Sequence, residues 1–209
     1  MLRQKTVEDF CLILSSDAPA PGGGSVSALN GAMAASLVAM VAELSLKRPE
    51  LEGCFPGYRE ILADALELKS RLGALIDRDS EAFFEVMDAF KLPKGTDDEK
   101  KARSAAIQQG YKTAAGVPLE TAALSLRTAR LGERMVDLGF NTNAASDLGV
   151  GLECARTGFL GAMMNVSINL GSIKDAGYLD DIRHQMARMA SEITAILDKC
   201  TGKLAAQLS

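Results

Sequence analysis

The sequence predicts an all-α protein: a single-domain, antiparallel up-and-down bundle of about five long helices plus a short N-terminal helix. Three observations point there. Apolar residues recur at steps of three and four along most of the chain, and no segment alternates with the period of a strand. Only 5% of residues are aromatic and none is Trp, so the 47% hydrophobic content rests on Ala, Leu, Met and Val, which suit packed helices. At 209 residues the chain is long enough for one sizeable core, and no internal boundary or repeat is visible, so it reads as one domain, 1–209.

The elements follow from their punctuation. Val7 to Leu14 is a short amphipathic helix, ended by the breaker cluster Ser15 to Ser25. A second helix, rich in small residues, runs from about Ser25 to Leu46 and stops at Lys47-Arg48-Pro49. The third spans about Tyr58 to Phe90 and is broken by Leu92-Pro93-Lys94-Gly95. Thr96 followed by Glu99 predicts a capping box opening the fourth helix, which runs to about Leu138 with a kink expected at Pro118. Gly139 to Ser146 is a turn, the fifth helix spans about Asp147 to Leu170, and the sixth about Asp175 to Leu204.

Composition excludes several classes. The net charge is −4 with acids and bases interleaved, so the basic stripe of a nucleic-acid binder is missing. Cys11, Cys54, Cys154 and Cys200 form no CxxC pair and read as reduced thiols. His184 is the sole histidine and lies on a charged helix face, so a His-rich metal site is ruled out and no metal is expected. The N-terminus has no signal-peptide pattern, and a cytoplasmic location is expected. Ser25 to Leu46 carries one charge, Glu43, and Thr157 to Ile173 none. Their small and polar residues and their lengths favour buried core helices over membrane spans.

Three patterns can carry chemistry. In the third helix Ile61, Ala65, Leu68, Leu72, Leu75, Phe83, Val86 and Phe90 form an apolar stripe, and Asp79 occupies its open slot. Asp79 lies 18 residues from Ile61, about five turns at ~3.6 residues each, so both point the same way. Asp77 and Glu81 are expected to face solvent. A carboxylate among Leu and Phe is costly to ionise, which raises its pKa towards that of a general acid. The residues alone leave this role level with a structural one, in which Asp79 caps or bridges another helix.

In the fifth helix, Asp147, Gly151, Cys154, Gly158, Ala162, Asn165 and Asn169 share one face. It reads either as tight helix packing or as a groove floor offering amides and a carboxylate to a polar heterocycle. The third pattern is Pro21-Gly22-Gly23-Gly24-Ser25: glycines allow close backbone approach, and Ser25 is placed to cap the helix that follows. No Gly-Lys-Ser/Thr follows it and no strand precedes it, so it is neither a Walker A loop nor a dinucleotide fingerprint. Lys91, Lys94, Lys100 and Lys101 lie among acids and read as a solvated loop first and a carboxylate-binding one second.

Together APGGGSVSALNGAMAASLVAMV, LIDRDSEAF, LPKGTDDEKKAR, NAASDLGVG and NVSINL resemble, in order and spacing, the cyclodeaminase family. That family comprises the C-terminal domain of formiminotransferase-cyclodeaminase with stand-alone cyclodeaminases and methenyltetrahydrofolate cyclohydrolases. The resemblance implies an all-α homodimer and a tetrahydrofolate site with no metal and no further cofactor. It implies Asp79 as the catalytic carboxylate, with Gly22, Gly23, Gly24, Ser25, Asp147, Asn165 and Asn169 lining the site. Lys94 is a candidate for the carboxylates of a polyglutamylated folate. The activity implied is cyclisation of 5-formiminotetrahydrofolate to 5,10-methenyltetrahydrofolate with loss of ammonia, and APGGGSV and NVSINL lie closer to that branch. The alternatives are hydrolysis of 5,10-methenyl- to 10-formyltetrahydrofolate, and a dimeric helical interaction module without activity. The 209 residues hold no formiminotransferase domain, so a separate transferase is expected to supply the substrate.

Overall fold

The computed structural model describes residues 1–208. The element order is α1 (Val7–Leu14), α2 (Gly23–Ser45), α3 (Phe55–Lys91), α4 (Asp97–Leu138), α5 (Ala145–Leu170) and α6 (Ala176–Leu208). Short 3-10 segments precede α1, α3 and α5, and the described residues contain no strand. The all-α bundle is as expected, with each boundary within a few residues.

Each start has a local cause. Thr6 caps α1 by accepting from the Asp9 N–H. The Thr96 hydroxyl accepts from the Glu99 N–H while the Glu99 carboxylate accepts from the Thr96 N–H, completing the expected capping box of α4. α2 differs from expectation: its cap is Gly22, with no side-chain hydrogen bond, and Ser25 lies inside the helix. Gly139 closes α4 at φ 77°, a backbone conformation that favours glycine. Its carbonyl accepts from the Tyr58 hydroxyl at 2.6 Å, which ties the end of α4 to the start of α3.

α2, α3, α4 and α5 form the central bundle, and α6 lies across α4 and α5. α2 and α4 each pack on the other three, and the most extensive contacts are those of α2 with α3 and α5. Small residues permit that: a Cβ on Gly158 would stand 2.9 Å from the Gly31 backbone N and the Ser27 carbonyl oxygen, so α2 and α5 meet backbone to backbone. By length and composition α2 would also cross a membrane, yet 61% of its most apolar window is buried inside the bundle. Glu43, its sole charge, is exposed. α6 is held by buried Ile193, Ile196, Leu197 and Leu204 and flanked by ion pairs such as Arg130–Glu192 and Lys199–Asp137. All four cysteines are free thiols.

The α3 stripe needs two corrections. Ile61 through Leu75 and Val86 are buried as expected, whereas Phe83 and Phe90 are 38% and 42% exposed. Beyond Asp79 the stripe leaves the core and becomes the wall of a cleft. Asp77 does not face solvent either. Its side chain is 15% exposed and lies under the N-terminal turn, accepting from the Leu2 N–H and pairing with Arg3 at 3.5 Å.

Candidate active site

The N-terminus of α2 opens onto a cleft of about 430 Å³ between α3, α4 and α5. This volume is within the roughly 300–1,000 Å³ of small-molecule sites. Gly22, Gly23, Gly24, Asp79 and Asn165 gather at one end, where α2 begins, with Ser25 just behind them. Phe83, Phe90, Ile168, Asn169 and Tyr111 continue along the walls. Asp79 and Phe90 are 11 residues apart on α3, so the groove follows that helix for ~16 Å at ~1.5 Å per residue.

Asp79 is half-buried and sits directly against α2. A Cβ on Gly24 would overlap its carboxyl group, with Cγ only 2.5 Å away, so the helix must present a glycine here. Burial pushes the Asp79 carboxyl above the ordinary carboxylate range, opposed by hydrogen bonds from the Ser25 hydroxyl and backbone N–H. No charged side chain contributes to that balance. Arg78 turns outward to Glu81 and Glu85, and Asp77 to Arg3.

The Ser25 hydroxyl is fully buried and has three neighbours: the Ile76 carbonyl oxygen at 2.9 Å, Asp79 Oδ2 at 3.1 Å and Ser80 Oγ at 3.3 Å. A hydroxyl carries one hydrogen and two acceptor sites. When it donates to Ile76, a neutral Asp79 can donate to it; when Asp79 ionises, the hydrogen can turn to the carboxylate. Both protonation states of Asp79 therefore have a partner in place.

Asn165 and Asn169 stand across the cleft. Asn165 Nδ2 donates to the Gly161 carbonyl at 2.8 Å, and Asn169 Nδ2 donates to the Ala114 and Asn165 carbonyls at 2.9 Å each. Carbonyl oxygens only accept, so the orientation of both amides is fixed and both Oδ1 atoms remain as acceptors. The fifth-helix pattern thus divides in two. Gly151 and Gly158 serve packing against α2, and Asn165 and Asn169 line the cleft.

Two residues named from the sequence do not join this cleft. Asp147 shares the azimuth of Asn165 but sits 18 residues earlier, in the first turn of α5, ~27 Å away at ~1.5 Å per residue. Lys94 is exposed in the link between α3 and α4, outside the cleft lining. His184 is on the surface, its Nδ1 2.8 Å from the Asp180 carbonyl oxygen. Conversely, the sequence reading missed Ser80, Tyr111 and Ile168 as lining residues and assigned Phe83 and Phe90 to the core. The seven-residue spacing of Phe83 and Phe90 beside Asp79 was the available signal, but an aromatic wall and a core stripe have the same period. Among the described residues no three His, Cys, Asp or Glu side chains converge as metal ligands.

The cleft thus presents a single inward carboxylate at a glycine-opened helix end, aromatic walls and two fixed amide acceptors. A profile of formiminotransferase-cyclodeaminase proteins matches residues 6–188. The chain belongs to the formiminotransferase-cyclodeaminase family. It is 35% identical to the methenyltetrahydrofolate cyclohydrolase of Methylorubrum extorquens over 95% of each chain. It is 34% identical to the formimidoyltransferase-cyclodeaminase of Sus scrofa over 91% of this chain, which spans 35% of that longer protein. Among solved structures, the formiminotetrahydrofolate cyclodeaminase of Thermotoga maritima superimposes with a TM-score of 0.90 at 26% identity, covering 100% of both chains. Family membership thus extends across the bundle that shapes the cleft.

Proposed function

We propose that this chain is a tetrahydrofolate one-carbon enzyme that cyclises 5-formiminotetrahydrofolate to 5,10-methenyltetrahydrofolate with release of ammonia. The observation that carries the reading is Asp79, a carboxyl raised by burial, without a charged partner, at the end of the cleft where α2 begins. Nitrogen-10 attacks the carbon of the protonated formimino group, whose carbon–nitrogen π pair moves onto the terminal nitrogen. The resulting tetrahedral centre bears a neutral NH₂, and nitrogen-10 then releases its own proton to solvent. The neutral Asp79 donates its proton to the departing nitrogen, the carbon–nitrogen bond breaks, and ammonia leaves with the electron pair. The lone pair of nitrogen-5 completes the amidinium cation, and the carboxylate left on Asp79 stabilises it. Gly22, Gly23, Gly24 and Ser25 hold the backbone open beside the carboxyl group. Asn165 and Asn169 offer acceptors to the N–H edge of the pterin.

A second reading has its own support in the Methylorubrum extorquens relative, a cyclohydrolase of matching length. In that reaction the Asp79 carboxylate takes a proton from the water attacking the methenyl carbon and returns it to nitrogen-5 as the bond from nitrogen-5 to that carbon breaks. The hydroxyl loses its proton to solvent and becomes the formyl carbonyl of 10-formyltetrahydrofolate. The two readings predict opposite pH limbs. A reaction limited by the acid falls as pH rises through the Asp79 pKa, and one limited by the base rises.

The deciding experiment follows the absorbance of 5,10-methenyltetrahydrofolate with purified protein and Asp79→Asn. Its formation from 5-formiminotetrahydrofolate with ammonia establishes the cyclodeaminase, and its accelerated loss without ammonia establishes the cyclohydrolase. Asp79→Asn is expected to lower turnover by about 10²–10⁴-fold. A wild-type rate in that variant would remove Asp79 from the chemistry.

The reading includes a cytoplasmic enzyme with no cofactor beyond the folate itself and no nucleic-acid or membrane partner. It also includes a homodimer. Met33 and Met40 of α2 and Val150, Leu160, Met164 and Ile168 of α5 are exposed on two helices packed side by side. Exposed apolar residues on adjoining helices suit a second copy of the chain. Ile168 is shared by this face and the cleft wall, so a dimer would border the mouth of the site.

A further inference from the structure

Pro118 lies buried inside α4, where a proline is costly. Having no N–H, it leaves the carbonyl four residues earlier, that of Ala114, without its helical donor. A buried carbonyl in that position needs another partner. The Asn169 side chain supplies it from α5, with Nδ2 2.9 Å from the Ala114 oxygen. The second Asn169 amide hydrogen goes to the Asn165 carbonyl at 2.9 Å. Both hydrogens are thereby fixed on backbone oxygens of two different helices. Oδ1 keeps its full accepting capacity, on a residue that lines the cleft beside Ala114.

We propose that Pro118 is a positioning residue: by freeing the Ala114 carbonyl it clamps the Asn169 amide, so that Asn169 Oδ1 stands as a fixed acceptor for an N–H donor of the ligand. Resting on the folate reading, that donor belongs to the amino-pyrimidinone edge of the tetrahydropterin. An alanine at this position would return an N–H to the Ala114 oxygen and compete with Asn169 for it. The helix gains a hydrogen bond, and the site loses the constraint on its amide.

The test is a double-mutant cycle in the full chain, with affinity for 5-formyltetrahydrofolate, a stable folate, measured by calorimetry. Pro118→Ala is expected to weaken binding about 5- to 10-fold, the size of one hydrogen bond. Asn169→Ala should weaken it at least as much, and the double variant should bind no worse than Asn169→Ala alone. Binding by Pro118→Ala equal to wild type, or an undiminished Pro118→Ala effect in the Asn169→Ala background, would overturn the proposal. A second readout needs no ligand. The Asn169 side-chain NH₂ signals in a nitrogen-15 spectrum should be protected from solvent exchange in the wild type and lose protection in Pro118→Ala, while the backbone N–H that this substitution introduces is itself protected. Unchanged Asn169 protection also overturns the clamp. Absence of folate binding by the wild type would instead strike the folate reading, leaving the exchange data to judge the clamp by themselves.

Discussion

At the scale of residues, Asp79 is held where its charge is least welcome. The start of α2 offers two hydrogen bonds to the carboxylate, yet burial outweighs them and the net displacement is upward. A carboxyl whose pKa is higher folded than unfolded makes the native state bind more protons between the two values. Stability is therefore greatest below the unfolded pKa, about 3.9, and falls as pH rises through the folded one. Replacing Asp79 with Asn removes that slope. Thermal melts across pH should show Asp79→Asn gaining on the wild type as pH climbs from 4 to 8, with the smallest difference at the acid end. A constant difference at every pH would mean that Asp79 titrates normally in the native state. The gain would also mark the site as a place where stability is given up for chemistry.

At the scale of elements, α2 and α5 are shaped by what they must approach. A Cβ on Gly158 would meet the Gly31 nitrogen and Ser27 oxygen at 2.9 Å and the buried, unpartnered Ser125 hydroxyl at 3.0 Å. The first two are backbone atoms and cannot step aside. Gly158→Ala should therefore cost about 1–3 kcal/mol in denaturant unfolding. Gly202→Ala, exposed inside α6 with nothing within 4 Å, should instead raise the midpoint, because alanine is the better helix former by about 0.5–1 kcal/mol. Equal effects at the two positions would contradict the close crossing. The separation forced here by small residues also brings Asn165 over Gly23, whose virtual Cβ is 3.3 Å from Asn165 Nδ2. One packing decision thus sets the width of the cleft. Pro118 acts at the same level, since its missing N–H in α4 is compensated by a side chain from α5.

At the scale of the whole molecule, two adjoining helices leave large apolar side chains outside. A helix hydrophobic on all sides is normally buried all round, yet α2 leaves Met33 and Met40 exposed, and beside it Met164 and Ile168 of α5 are 70% and 76% exposed. A homodimer across this face predicts that Met164→Asp yields monomers by sedimentation or light scattering, with the helical circular-dichroism spectrum retained. A wild type that is monomeric at micromolar concentration would refute the dimer. Because Ile168 also lines the cleft, the same variant should raise KM for the folate even where the isolated fold survives.

The sequence by itself determined the helices, their order, the capping box at Thr96 and Glu99 and the inward aim of Asp79. Each is a local property, written in the 3.6-residue period or in a cap a few residues long. The motifs also pointed correctly to the family. Only the tertiary structure decided which of the residues on one azimuth belong together. Asp147 and Asn165 share a face of α5 but sit near opposite ends of it, and only Asn165 meets Asp79 across the start of α2. It likewise decided that Phe83 and Phe90 wall a cleft when their period suited a core, and that Asp77 anchors the N-terminal turn. The pairing of Pro118 with Asn169 joins positions 51 residues apart. Periodicity reports which way a side chain faces along its own helix. What it faces depends on how far the neighbouring helices extend and how closely small residues let them approach.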